Sequence, residues 1–145
     1  MYKKILLAYD GSETGQRALL ESKVVADWGQ AEIVLIAVMP PPAAFIGGEG
    51  GVYDAGLEEE ERREFKAILE DGVKRLAESG LKVSGEVLVG EAVVEIADCA
   101  KRISADLVVV GHRHLEGFAK RWWRGSTAKG LVENSHCNIL VVITK

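Results

Sequence analysis

The chain has 145 residues, 48% of them hydrophobic and 28% charged, the balance of one ordinary globular domain (residues 1–145) with a proper core. Its formal net charge of −4 argues against a nucleic-acid binder, whose phosphate partner demands clustered Lys and Arg. No apolar run reaches the roughly 20 residues that span a bilayer, and Asp10 interrupts the first one too early for an export signal, so a cytoplasmic location without membrane contact is expected.

Lys4 to Tyr9 is an apolar run typical of a buried strand, closed by Asp10-Gly11-Ser12. From Glu13 to about Trp28 the positions Ala18, Ser22, Val25 and Ala26 follow helical spacing, and Gly29 stops them. Ile33 to Met39 reads as a second buried strand, ended by Pro40-Pro41-Pro42. The stretch Pro40 to Gly56 is a long surface loop. Its Gly47-Gly48-Glu49-Gly50-Gly51 lacks the Lys-Ser/Thr that completes a phosphate loop. Leu57 to Ser79 carries Phe65, Ile68, Leu69, Val73 and Leu76 on one stripe, with Glu58/Arg62 and Glu59/Arg63 spaced i,i+4 on the other.

Leu81 to Val89 alternates like an exposed or edge strand, and Val93, Ile96, Ala97 and Ala100 form a further helical stripe. Leu107 to Val110 is unbroken apolar sequence and predicts an interior strand. Ala128, Leu131, Val132 and Ser135 mark a last helix, and Ile139 to Ile143 a last strand. Alternation of this kind predicts an α/β fold: a doubly wound, parallel five-stranded sheet with helices on both faces, Rossmann-like, in the order 3-2-1-4-5. Ligands of such sheets bind beyond the carboxyl ends of the strands, where the strand order reverses. Cys99 and Cys137 fit small buried hydrophobes better than a disulfide.

The chemistry concentrates between Asp106 and Thr144. A buried strand ends in Gly111, a basic loop follows with His112, Arg113, Lys120, Arg121 and Arg124, and Gly125-Ser126-Thr127 opens a helix. Free backbone N–H groups, two hydroxyls and the helix dipole converge there, which suits an anion; a plain helix cap by Ser126 or Thr127 is the simpler alternative. His112 and His114 lack third and fourth ligands at useful spacing, so no metal is expected. Trp122-Trp123 reads as loop packing rather than a base-stacking platform.

This segment resembles the nucleotide-binding signature of the universal stress protein family: Gly, two residues, Gly, nine residues, then Gly with Ser or Thr. Gly111 and Gly125-Ser126 match its first and last positions, with ten residues rather than nine between residue 114 and Gly125. KKILLAYDGSE, IVLIAVMP, Gly90-Glu91-Ala92 to Ile96 and NSHCNILVV resemble the family's flanking segments, with His136 and Asn138 where prolines are usual. The resemblance implies a non-enzymatic, dimeric module that binds ATP or AMP. Ala8, Asp10 and Val38 would frame the adenine, and Gly111, His112, His114, Arg124, Gly125, Ser126 and Thr127 would surround the phosphates.

His114 replaces the signature's second Gly. Its side chain either blocks the backbone's approach to phosphates or donates a hydrogen bond to them. Asp10 either accepts from the adenine amino group or caps the first helix. The alternative function is a dimeric stress protein of the same fold that has lost the nucleotide and acts by protein contacts. An enzyme finds little support, since no catalytic residue set is recognisable: Val89-Gly90-Glu91 lacks a receiver's Asp, and Asp10-Gly11-Ser12-Glu13 lacks the Ser-Gly-Gly loop of adenylating enzymes. The last strand, Ile139 to Ile143, apolar on both faces, is the expected homodimer edge.

Overall fold

The computed structural model describes residues 2–41, 55–113 and 126–144. In chain order these form β1 (Lys4–Ala8), α1 (Glu13–Gly29), β2 (Glu32–Met39), α2 (Ala55–Glu78), β3 (Val83–Val89), α3 (Ala92–Arg102), β4 (Leu107–Arg113), α4 (Ser126–Asn134) and β5 (Asn138–Thr144). The strands make one parallel sheet in the order β3-β2-β1-β4-β5, as the alternation predicts. Helix α2 begins at Ala55, two residues before the expected Leu57, and β4 runs three residues past Val110 because Gly111, His112 and Arg113 stay in register with Val142, Ile143 and Thr144.

Alternate residues of each strand feed two cores. Ile5, Leu7, Ile33, Leu35, Leu107 and Val109 pack against Ala18, Leu19 and Ala26 of α1 and Leu69 and Leu76 of α2. Leu6, Ile36, Val108 and Val110 pack against Ile96, Cys99 and Ala100 of α3 and Leu131 of α4. Ser22 is buried within the α1 stripe because its hydroxyl donates to the Leu19 carbonyl at 2.7 Å, which satisfies it inside the helix. Helix α1 includes Gly29 as its last residue, and the left-handed residue that caps it is Gln30 (φ 51°); the Gln30 and Ala31 N–H groups both return to the Ala26 carbonyl. Both cysteines are free, Cys99 buried and Cys137 half-buried.

The amino edge of the sheet is tied by side chains. The Asp106 carboxylate accepts the Lys3 and Lys4 backbone N–H groups, each at 2.8 Å, and so locks β1 to the start of β4. Glu32 receives Lys82 at 3.1 Å and Lys4 at 3.3 Å, joining β1, β2 and the approach to β3. Asn138, standing where the resemblance has a proline, donates its amide to the Tyr2 hydroxyl at 3.2 Å and ties β5 back to the first residues.

These bonds favour the ionised carboxylates. The Lys3 and then the Lys4 N–H hold Asp106 below its ordinary value, and the Lys82 and Lys4 ammonium groups do the same for Glu32. A carboxylate depressed in the folded state binds protons more readily when unfolded. Its stabilisation is complete above the unfolded value, near about 4, and is lost as pH falls through the folded one. Melting temperature should therefore drop steeply as pH falls below about 4, and Asp106→Asn, which forfeits the charge, should flatten that drop in a pH series followed by circular dichroism.

Candidate functional site

Strand β1 lies between β2 and β4, and the chain leaves it towards β2 and returns on the far side at β4. The order reverses there, so the connections diverge above the carboxyl end of β1 and leave a crevice. Ala8 ends β1, paired in register with Ile36. Val38 lies two residues further along β2, so Ala8 and Val38 share the sheet face covered by α3 and α4, and both pack half-buried against that core. On the other flank, Leu7 pairs with Val109, so Gly111 and His112 continue β4 beyond the end of β1. Because α4 connects the carboxyl end of β4 to the amino end of β5, its first residues, Ser126 and Thr127, stand at the same edge. The strand order and register thus put Ala8, Asp10, Val38, Gly111, His112 and the start of α4 at the carboxyl edge of the sheet. His114, Arg124 and Gly125 lie outside the described residues, as do Trp122 and Trp123.

The cap of α1 is Ser12 rather than Asp10. Ser12 Oγ accepts the Gly15 N–H at 3.0 Å and donates to Asp10 Oδ1 at 2.5 Å, while the Ser12 N–H donates to the same oxygen at 2.9 Å. Asp10 therefore acts one step back from the helix: it fixes the serine that caps it. Gly15 makes room for this arrangement, since a Cβ there would lie 2.6 Å from Asp10 Oδ1. Sequence reading misses Ser12 because Asp10, Ser12 and Glu13 all satisfy cap preferences, and only the turn geometry chooses among them.

At α3 the cap is Glu91, an uncommon choice. Its two carboxylate oxygens accept the Val93 and Val94 N–H groups at 3.3 and 3.2 Å. An acidic side chain at this end also suits the helix dipole.

Other reactive groups nearby are ill placed for chemistry. Tyr9 turns to the opposite face, against α1 and α2. It is buried, its hydroxyl meets no partner among the described residues, and burial, then the Asp71 charge, raise its pKa. Burial likewise pushes up the Cys99 and Cys137 thiols, which favours their protonated form. Among the described residues no cluster of His, Cys, Asp and Glu could hold a metal, and no helix is long and apolar enough to cross a membrane.

A parallel sheet of this order, with Gly111 in the last residues of β4 and a helix opening at the switch point, defines the Rossmann-like class that holds its ligand beyond the strand ends. The sequence pattern of the Universal stress protein family matches residues 1–142, and the chain belongs to that family. It is 33% identical to Universal stress protein MJ0531 of Methanocaldococcus jannaschii, with 98% of this chain and 82% of that one aligned. The solved structure of MJ0577, from the same organism, superposes with a TM-score of 0.81 at 28% identity, over 100% of this chain and 98% of that one. The universal stress protein from Archaeoglobus fulgidus in complex with dAMP shares the fold at TM-score 0.71 and 21% identity, over 97% of this chain and 98% of that one. Further structures of the fold are complexes with cAMP and with AMP.

Replacing Ser12 by Ala removes the cap and the hydroxyl donor to Asp10, leaving the backbone N–H of residue 12 on that carboxylate. The variant should lose about 1 kcal/mol of stability in urea denaturation, the usual worth of an N-cap.

Proposed function

We propose that this universal stress protein is a non-catalytic module that binds an adenine nucleotide, ATP or AMP, in the crevice above β1 and works as a homodimer. The observation that carries the nucleotide reading is the meeting of Ala8, Asp10, Val38, Gly111 and the first turn of α4 at one edge of the sheet. The adenine complexes of proteins sharing this fold support it.

In this reading Ala8 and Val38 offer the base an apolar frame. The Asp10 carboxylate, already oriented by Ser12, accepts from the adenine amino group. Gly111 and His112, with His114 and Arg124 of the following loop, line the way to Gly125, Ser126 and Thr127, where backbone N–H groups take the phosphate. Arg124 adds charge-assisted contacts. No catalytic residue set is recognisable in the sequence, and binding rather than turnover is the function assigned.

Denaturing the purified protein and chromatographing the supernatant should release an adenine nucleotide, and calorimetry should show AMP or ATP binding to the stripped protein. Gly125→Val, which adds a branched side chain just before α4, should abolish that binding with the melting temperature unchanged. Equal affinity in the variant and the parent would sink the phosphate assignment. Absence of binding by the parent at millimolar nucleotide would leave the protein-contact function standing.

The dimer reading rests on the two open edges of the sheet. Strand β3 carries Ser84, Gly85 and Glu86, the last held by Arg102, and so blunts its edge with polar and small residues. Strand β5 is apolar on both faces, with Leu140 and Val142 towards one core, Ile139 and Val141 towards the other, and Ile143 54% exposed. Its unpaired side is the one suited to a second copy. Ile143→Lys, at a position that stays exposed in the single chain, should shift sedimentation from dimer to monomer without loss of helical signal. A parent that sediments as a monomer at micromolar concentration would refute the assignment.

A further inference from the structure

Helices α3 and α4 lie side by side on one sheet face and touch through Val93 and Gly130. A Cβ built on Gly130 would stand 3.0 Å from each Val93 methyl carbon and 3.6 Å from its Cβ, tighter than side chains normally pack. Val93 has little freedom to give way. Its side chain is β-branched, and such residues keep essentially one χ1 in a helix. Its own turn is pinned as well, because the Glu91 carboxylate holds the Val93 and Val94 N–H groups. The closeness of α4 therefore depends on residue 130 having no side chain.

Glycine inside a helix lowers its stability relative to alanine, so local propensity does not favour this residue here. Leu131, the next residue, is fully buried and anchors α4 on the sheet. A push at residue 130 against that anchor would tilt the helix. Ser126 opens α4 four residues earlier, about 6 Å along the axis at the α-helical rise, so its N–H groups would move with the tilt.

We infer that Gly130 is a positioning residue: by letting α4 rest on Val93, it sets where the first turn of α4 meets the phosphate of a bound nucleotide. This rests on the nucleotide reading above. The test is AMP titration by calorimetry on the parent, Gly130→Ala and the double variant Gly130→Ala/Val93→Ala, each with a melting curve. Gly130→Ala should lower AMP affinity about tenfold, equivalent to ~1.4 kcal/mol, without lowering the melting temperature, because alanine favours the helix. Val93→Ala in the same chain removes the collision and should restore affinity. Unchanged affinity in Gly130→Ala, or a loss that Val93→Ala fails to restore, would overturn the inference while leaving nucleotide binding intact. A parent that does not bind AMP would instead overturn the reading beneath it.

Discussion

Strand β1 has no free side. Its backbone pairs with β2 on one flank and β4 on the other, and Ile5, Leu6 and Leu7 are fully buried between two helical layers. Truncating one such side chain to alanine costs about 2–5 kcal/mol, against a total of roughly 5–15 kcal/mol for a domain. The position of β1 also decides what the sheet can do. Strands β2 and β3 are added on one flank, β4 and β5 on the other, and the connections part company above the end of β1. The same central placement that makes the strand indispensable to the core creates the opening above it.

The two edges of the sheet divide the labour. At the amino edge, Asp106, Glu32 and Asn138 spend their polar atoms joining strand to strand. At the carboxyl edge, polar side chains such as Asp10, Ser12 and Glu91 organise turns and helix starts instead. Fastening at one end lets the other be built from loops, where small sequence changes re-aim a side chain at little cost to the fold.

Much of this was legible in the sequence because parallel strands are buried on both faces and read as short apolar runs: Ile5 to Ala8, Ile33 to Met39 and Leu107 to Val110 stand out for that reason. The alternation of Leu81, Val83, Val87 and Val89 likewise marked β3 as an edge. Local ambiguity set the limits. Asp10 and Ser12 are equivalent as caps until the turn brings Ser12 Oγ to the Gly15 N–H. Gly29 looked like the stop of α1, whereas Gln30 takes the left-handed conformation. Gly130 reads merely as a weak spot in a helix; its meaning lies in Val93, 37 positions away in sequence, and no local pattern encodes that proximity. The resemblance to universal stress proteins is what named the candidate site residues, since a glycine signature can be read where pairwise contacts cannot.

The cap of α3 has a consequence for any ligand with one charged end and one neutral end. Helices α1, α3 and α4 all begin at the carboxyl edge, and each would attract an anion through its dipole. Ser12 already occupies the first turn of α1, and at α3 the Glu91 carboxylate is itself the anion. A phosphate approaching α3 would meet a like charge and no spare donors at Val93 and Val94. Discrimination of this kind works by exclusion. Under the proposed function, Glu91 would repel the phosphate of a mononucleotide from α3 without touching the ligand, and so bias which way round it lies.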